Sequence, residues 1–369
     1  MKTYWLSNIE DSVKEYLKNL NYKDGYRFKP ALDNLTYYGE NLNLGFSCFG
    51  LKSYFILGLW DELPSENKIE WVRYLNSFQK TLEPFPENAY LDCYLLESYK
   101  KNKIKTILSD TTKRIINLHP KFYYESNQNK LLKAVNAETK QAISTIYETG
   151  LTNEEKIGNI LVDNNSVDSF LKAYDWSKPW NAGAQFSSLC VYSITQNYNI
   201  KSDLVSFINK IADEDTGSYF SKVPTSSREI INGAMKVITG LDWLNEEIHY
   251  PKKLIDYCLS NKPILEGCDV VDYIYVLYKC SQQVEYKKNE INNVLLEQLD
   301  YLEKLYVRNE GGFSYFIDKS QTHYYGVEIT GGKKQADIHG TTLCLWAISM
   351  ITNNLENDKL DLKWKLIKP

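Results

Sequence analysis

A short turn built on glycine and aromatic residues recurs three times along this 369-residue chain. The copies are KDGYRFKP at 23–30, DEDTGSYFSK at 213–222 and RNEGGFSYFIDK at 308–319. Each copy follows an amphipathic stretch of helical periodicity and precedes an apolar stretch rich in small residues. Glycine supplies the positive φ that ends a helix, and the aromatic side chains can cover the turn against a neighbouring helix. A repeated unit of helix, turn and helix is typical of helical-hairpin arrays.

Two kinds of predicted helix alternate along the chain. One kind is apolar on nearly all sides, which predicts burial between layers, and the other has one charged face, which predicts an outer wall. The first kind comprises residues 43–60, 87–101, 180–196, 227–241, 266–280 and 336–351. The second comprises 65–80, 112–119, 204–214, 250–260 and 290–306, and the polar stretch 120–175 is expected to add two or three helices. At about 40–50 residues per pair, the alternation predicts an all-α fold, an (α/α)6 toroid of inner and outer helices.

The whole chain, residues 1–369, is predicted to form a single α/α-toroid domain, because no linker-like stretch divides it. An open α-solenoid and a two-domain helical protein are the alternatives. Small residues at the starts of the inner helices favour a closed ring, because crowded helix ends at a centre leave room only for Gly, Ala and Ser side chains.

Charge and cysteine content narrow the expected partners and location. The net charge is −4, and basic runs are no longer than three residues, so nucleic acid is not an expected partner. Seven cysteines without paired spacing argue against a disulfide framework and favour a reducing compartment. The chain has no hydrophobic signal core and no stretch of membrane-spanning length, so a cytoplasmic soluble protein is expected. The expected partner is a small-molecule substrate, and the oligomeric state is left open.

Candidate acid and base residues stand in the first turns of the late inner helices. In a toroid these first turns converge at one mouth, where the helix dipoles favour anions. Asp269 and Asp272 share a helix face and could raise each other's pKa, or they could serve as a cap and a loop salt bridge. Asp337 could act with His339 as an acid/base pair, or it could cap the helix beside a buried core histidine.

Candidate substrate-binding residues lie near the same mouth. Asn232 and Lys236 are one turn apart on an apolar helix, where a lysine needs an anion or a carboxylate partner. That partner could be a substrate group, or a neighbouring hairpin carboxylate at Glu266 or Asp269, and Lys52 presents the same ambiguity. The other candidates begin an inner helix or lie in the long insertion 317–335, which is either a lid or a plain surface loop: Trp180, Gln185, Tyr324, Tyr325 and Glu328.

Metal binding is suggested only by residue type. Cys268, Asp269 and His339 are residues that bind zinc, but their spacing along the chain does not define a site. The cofactor is therefore left unknown: zinc or magnesium is possible without support from spacing, and we assign no metal.

Three segments resemble the terpenoid cyclase and protein prenyltransferase superfamily of (α/α)6 toroids. RNEGGF resembles its Q-x-x-x-G-G-F/W turn, with Arg308 in place of the glutamine. EGCDVVDYIY and ADIHGTTLCLW resemble zinc segments of prenyltransferase β subunits, although His339 stands one position early and Gly340 occupies the ligand position. The resemblance covers the C-terminal half and implies an enzyme that acts on an isoprenoid or other largely apolar substrate in a central cavity.

Two alternatives of other classes remain open at this point. Carbohydrate-processing six-hairpin toroids, of glycoside hydrolase, lyase or epimerase type, have the same architecture, and mouth carboxylates with aromatic rims suit them equally. A non-catalytic ligand-binding toroid would use the same polar first turns only as helix caps.

Overall fold

The computed structural model describes residues 4–100, 126–161, 164–222, 224, 226–262, 267–355 and 362–369. Its helices, after a 3₁₀ turn at Tyr4–Leu6, are α1 (Ile9–Leu20), α2 (Tyr37–Asn41), α3 (Leu44–Ile56), α4 (Leu59–Glu62), α5 (Ser65–Asn76), α6 (Cys93–Lys100), α7 (Asn127–Glu148), α8 (Val167–Lys172), α9 (Pro179–Thr195), α10 (Lys201–Asn209), α11 (Ser227–Leu244), α12 (Pro251–Ser260), α13 (Asp269–Gln283), α14 (Lys288–Leu305) and α15 (Ile338–Leu355). Three antiparallel pairs of two-residue strands complete it: β1 (Gln79–Lys80) with β2 (Ala89–Tyr90), β3 (Tyr306–Val307) with β4 (Gly312–Phe313), and β5 (His323–Tyr324) with β6 (Val327–Glu328).

Helices from both ends of the chain close an inner ring. Among the described residues, the ring order is α3, α7, α9, α11, α13 and α15, and α15 packs back against α3. At the closing interface the hydroxyl groups of Ser53 and Thr342 share a buried hydrogen bond of 2.8 Å. The predicted all-α toroid is confirmed.

Amphipathic helices pack on the outside of the ring. α5 packs on α3, α8 and α10 pack on α9, α12 packs on α13, and α14 packs on α15. In α12, Leu254 and Cys258 are buried while Lys252 and Lys253 are exposed, which is the periodicity expected of an outer helix. The predicted outer helix at 112–119 lies outside the described residues. Within the described parts of the chain, no helix is long and apolar enough to cross a membrane.

The three glycine-aromatic turns each carry the chain from an outer helix to an inner one. Their first glycines all have positive φ: Gly25 at +89°, Gly217 at +78° and Gly311 at +83°. An aromatic residue two or three positions later is fully buried in each turn: Phe28, Tyr219 and Phe313. Each aromatic residue pairs with a residue at or just beyond the end of the preceding helix, respectively Asn21, Ala212 and Tyr306. The turns are repeated scaffold, as the sequence predicts.

Small residues allow the inner helices to approach closely. A Cβ atom on Gly233 of α11 would lie 2.5 Å from the Pro179 side chain of α9. A Cβ atom on Gly183 of α9 would lie 3.0 Å from the Lys236 Cβ of α11. These distances explain why the inner helices are rich in glycine.

The prediction that residues 87–101 form an inner helix is wrong. That stretch contains β2 and the short helix α6, which packs against α2 and α7 and is not part of the ring. The ring position belongs to α7, within the stretch predicted only as polar and irregular. The physical reason is that α7 buries polar residues, including Asn136 and Glu138, and therefore lacks the continuous apolar character of the other inner helices.

Candidate functional site

Side chains from the first turns of α11 and α13 meet at one end of the ring. The Arg228 Nε atom donates to both Asp269 carboxylate oxygens, at 3.0 and 2.9 Å. The Asn232 Nδ2 atom donates to Asp269 Oδ1 at 2.7 Å. The Arg228 guanidinium also lies over the Trp180 ring, 4.7 Å from its centroid. Asp269 is therefore a buried, fully partnered carboxylate whose ion-pair partner is Arg228 and not Lys236, while Glu266 lies outside the described residues.

Asp272 lies one turn further along α13 and has a different environment. It is 2% exposed, and its Oδ2 atom has no hydrogen-bond partner among the described residues. Burial raises the pKa of Asp272 to about 6, although the nearby Lys236 ammonium opposes this shift. Asp272 therefore has a pKa near neutrality and, among the described residues, an unpartnered oxygen, whereas both oxygens of Asp269 accept hydrogen bonds.

Asp337 holds the start of α15 and the insertion before it. Its Oδ1 atom accepts from the Gly340 amide at 2.7 Å. Its Oδ2 atom accepts from the Tyr315 and Gln321 amides at 2.7 and 3.0 Å. Burial raises the pKa of Asp337 to about 6 in spite of these bonds. Because both oxygens are occupied by backbone amides, its contacts are those of a helix cap that also clamps a loop.

His339 is the centre of a cluster that we call the histidine cluster, formed by Phe49, Tyr315, Gln321 and His339. The imidazole is stacked on Phe49, with ring centroids 4.3 Å apart and an angle of 16° between planes, and the Tyr315 ring lies 5.0 Å away. The His339 Nδ1 atom is 3.1 Å from the Gln321 Oε1 atom. An amide oxygen only accepts, so Nδ1 carries the proton and Nε2 has a free lone pair.

Electrostatics keep His339 neutral. Burial, together with the positive charges of Lys236 and Lys52, lowers the pKa of His339 to about 3. At neutral pH the imidazole is therefore a proton acceptor at Nε2.

Tyr315 supplies a hydroxyl group beside this acceptor. Its hydroxyl oxygen is 3.0 Å from the Cys268 Sγ atom. Burial raises the pKa of the Tyr315 hydroxyl, so the group stays protonated and can donate. The histidine cluster thus contains an imidazole nitrogen that can accept a proton and a protonated phenol, with the two ring centroids 5.0 Å apart.

Three lysines stand about halfway along inner helices and form what we call the lysine layer: Lys52 of α3, Lys140 of α7 and Lys236 of α11. In the described part of the chain, none of their ammonium groups has a hydrogen bond or an ion pair. Burial lowers the pKa values of Lys52 and Lys140, and the charge of Lys236 lowers both further. The fold therefore holds three lysine side chains within electrostatic range of one another and without a direct counter-ion among the described residues.

Glu138 and Tyr324 form a buried pair next to the histidine cluster. Glu138 is 1% exposed, and its carboxyl oxygens and the nearby Tyr324 hydroxyl make no hydrogen bond of good geometry among the described residues. Burial raises the pKa of Glu138 well above its usual range. The Tyr324 ring contacts Phe49, with centroids 6.2 Å apart, and fits only because residue 45 is glycine.

The interior of the ring is polar. Asn136 of α7 and Gln185 of α9 face each other at 3.4 Å. Several buried polar atoms of the inner helices and the insertion have no partner among the described residues: Asn136 Oδ1, both Glu138 oxygens, Ser187 Oγ, Asn232 Oδ1, Asp272 Oδ2, Tyr275 Oη and Tyr324 Oη. Because buried polar atoms normally have partners, these atoms indicate an interior suited to polar ligands or water.

Two open grooves flank the first turns of α7. One has a volume of about 530 Å³ and is lined by residues that include Lys133, Tyr174, Lys178 and Asn181. The other has a volume of about 460 Å³ and is lined by residues that include Tyr37, Tyr99, Lys130 and Glu328. The predicted substrate residue Glu328 thus faces an outer groove and not the histidine cluster.

The remaining predicted residues are placed as follows. Tyr325 occupies the turn between β5 and β6 with φ +46°, and its carbonyl oxygen accepts from the Tyr99 hydroxyl at 2.9 Å. The suggested zinc ligands Cys268, Asp269 and His339 each have other contacts, and nowhere in the described residues do three His, Cys, Asp or Glu side chains come together in a way that could hold a metal ion.

The sequence analysis overlooked Phe49, Tyr315, Gln321, Lys140 and Glu138. Tyr315 belongs to the third glycine-aromatic turn, and the sequence predicted only a structural role for that turn. Lys140 had a usable signal, because NAETK at 136–140 and NGAMK at 232–236 both place asparagine four residues before lysine. Neither Gln321 nor Glu138 had any local signal.

No protein-family model matches this chain, and no curated protein sequence matches it. Among solved structures, a protein described as a polysaccharide lyase aligns with 97% of this chain and 99% of its own, at 12% sequence identity and a TM-score of 0.45. A superposition at this level does not support a conclusion about activity. The resemblance to terpenoid cyclases and prenyltransferases receives no support from these comparisons.

Proposed function

We propose that this protein is a carbohydrate-processing enzyme whose reaction begins when His339 abstracts a proton from a sugar ring. The observation that carries the proposal is the histidine cluster. Gln321 fixes the proton on Nδ1, Phe49 supports the ring, and Nε2 is left as a base in a cluster that also contains the protonated Tyr315 side chain, with ring centroids 5.0 Å apart. A base held in one tautomer next to a proton donor is the arrangement that general acid–base chemistry requires.

The predicted carboxylates favour proton abstraction over glycoside hydrolysis. A glycosidase of the usual kind needs two available carboxyl groups on either side of the scissile bond. Here both oxygens of Asp269 are held by Arg228 and Asn232, and both oxygens of Asp337 are held by backbone amides, so neither predicted pair offers two available groups, and the unpartnered carboxyl oxygens belong to Asp272 and Glu138 on separate helices. A lyase or an epimerase, which needs a base and a proton donor, fits these residues better.

The proposed chemistry conserves atoms and charge. His339 Nε2 takes a proton from a ring carbon that an adjacent electron-withdrawing group acidifies. In an elimination, the released electron pair forms a carbon–carbon double bond, the glycosidic C–O bond breaks, and the leaving oxygen takes the Tyr315 proton. In an epimerisation, the carbon instead receives the Tyr315 proton on its opposite face. In both reactions, transfer of a proton from His339 back to Tyr315 restores the enzyme.

The polarity of the interior supports a sugar over the isoprenoid that the sequence suggested. An apolar chain would leave the buried oxygen atoms of Asn136, Asn232 and Asp272 without partners, which costs free energy at each atom. Sugar hydroxyl groups can donate to all three.

The proposal is tested by incubating the protein with neutral and acidic polysaccharides and measuring the masses of the products by mass spectrometry. Elimination adds no water to the products, hydrolysis adds one per cleavage, and epimerisation leaves the chain length unchanged. We expect products without added water, or epimerised chains. We also expect His339→Gln to lower kcat/KM by about 10²–10⁴-fold.

The matched control is His323→Gln, because the His323 side chain is exposed and, among the described residues, hydrogen-bonds only its neighbour Thr322. It should leave activity unchanged. Full activity of the His339 variant, or products that all carry added water, would contradict the proposal.

A further inference from the structure

We infer that the lysine layer binds the anionic group of an acidic saccharide, either the carboxylate of a uronate or a sulfate ester. The inference rests on the proposed function for the sugar part of the ligand, and on the lysines themselves for its charge. It assigns a ligand to Lys52, Lys140 and Lys236. None of these lysines donates or accepts a proton in the reaction proposed for His339.

The charges around the lysine layer leave room for an anion. Asp272 interacts electrostatically with Lys236, and Glu148 with Lys52, but neither carboxylate forms an ion pair with a lysine of the layer. By contrast, Lys279 of the inner helix α13 is paired with Asp242 at 2.8 Å. Unpaired cations in a low-dielectric interior repel one another strongly, and an anion placed among them removes that repulsion.

Two asparagines give a second, independent indication of a ligand. Asn136 and Asn232 each precede a lysine of the layer by one helical turn toward the mouth. They are 4% and 0% exposed, and the Oδ1 atom of each has no partner among the described residues. An asparagine oxygen one turn above a lysine can accept from a sugar hydroxyl while the lysine binds the anionic group below.

The position of the layer connects it to the histidine cluster. Lys52 and Lys236 both act on the charge state of His339, so a group bound between them lies within electrostatic range of the imidazole. An anion there opposes the effect of the lysines and makes His339 a stronger base when the substrate is bound.

The inference is tested by isothermal titration calorimetry with four probes: a trigalacturonate, a sulfated disaccharide, a neutral trisaccharide and inorganic pyrophosphate. Wild-type protein is expected to bind an acidic saccharide at least about tenfold more tightly than the neutral one, and added salt should weaken that binding. Lys140→Met and Lys236→Met should each lose about tenfold or more in affinity.

Two further variants keep the result interpretable. Lys236→Arg retains the charge and should retain most of the affinity, and Lys279→Met removes a paired inner-helix lysine and should leave affinity unchanged. Circular dichroism and thermal melting establish that each variant is folded.

Three results would overturn the inference: equal affinity for acidic and neutral saccharides, no loss in the lysine variants, or binding to no probe. Binding of pyrophosphate but of no saccharide would show that the lysine layer binds a free phosphate and would contradict the claim that its ligand is a saccharide. The His339→Gln variant separates this test from that of the proposed function. It should bind acidic saccharides as wild type does while its kcat/KM falls by about 10²–10⁴-fold. Failure of the lysine variants to weaken binding, by contrast, leaves the histidine chemistry untouched.

Discussion

At the scale of single residues, what distinguishes candidate functional groups is whether a buried polar atom has a partner. Asp269 and Asp272 stand one turn apart on the same helix, and both are 2% exposed. Asp269 is bound by Arg228 and Asn232, whereas one oxygen of Asp272 has no partner in the part of the chain that the structure describes. The sequence shows two equivalent carboxylates, and only the contacts separate the structural one from the available one.

Asp272 should make the stability of the protein depend on pH. Its pKa rises from 3.8 to about 6 on folding, so the folded state binds the proton more tightly than the unfolded state. Protonated Asp272 stabilises the folded state. This stabilisation is fully present below pH 3.8 and is lost as the pH rises through about 6. Relative to wild type, Asp272→Asn should therefore gain up to about 3 kcal/mol of unfolding free energy between pH 4 and pH 7.

Urea unfolding of both proteins across that pH range measures this difference. Asp269→Asn serves as the comparison, because it removes a paired carboxylate from the same helix. A constant stability difference between Asp272→Asn and wild type from pH 4 to pH 7 would show that Asp272 titrates normally.

At the scale of elements, the glycine-aromatic turn was the feature most accurately predicted from sequence. It needs only local information, because a positive φ requires glycine and a following aromatic residue must be buried. Gly25 and Gly311 both have positive φ, but they differ in their surroundings. A Cβ atom on Gly25 would meet nothing within 4 Å, while one on Gly311 would lie 2.5 Å from the Ser12 carbonyl oxygen.

This difference predicts unequal effects of the same substitution. Gly25→Ala should destabilise the protein by about 1–2 kcal/mol, the cost of a left-handed backbone. Gly311→Ala should cost about 1–3 kcal/mol more, because the added methyl group collides with backbone. Chemical denaturation measures both, and equal losses would mean that the third turn is not packed against α1 as described.

The sequence predicts an inner helix more reliably when the helix is more apolar. α3, α9, α11, α13 and α15 were recognised because small and apolar residues dominate them. α7 was not, because it places Asn136, Glu138 and Lys140 toward the interior and therefore has the composition of a solvent-facing helix. The rule that inner helices are apolar fails at the helix that contributes most polar groups to the candidate site.

At the scale of the whole molecule, the fold followed from the sequence and the chemistry did not. Repetition of a hairpin unit is sufficient to predict a toroid, but one toroid architecture supports many unrelated activities. The isoprenoid substrate was suggested by a resemblance of short motifs. The polar interior and the lysine layer depend on which residues of separate hairpins meet across the ring, and spacing within one hairpin does not reveal this.

The central claim is that the ring interior holds an acidic saccharide between the lysine layer and His339. The most direct measurement is a crystal structure of the His339→Gln variant soaked with trigalacturonate. We predict a carboxylate about 2.7–3.2 Å from the Nζ atoms of Lys140 or Lys236, with the sugar ring against the position of His339. A saccharide bound only in the outer grooves beside α7, or an interior without ligand at saturating concentration, would contradict the claim.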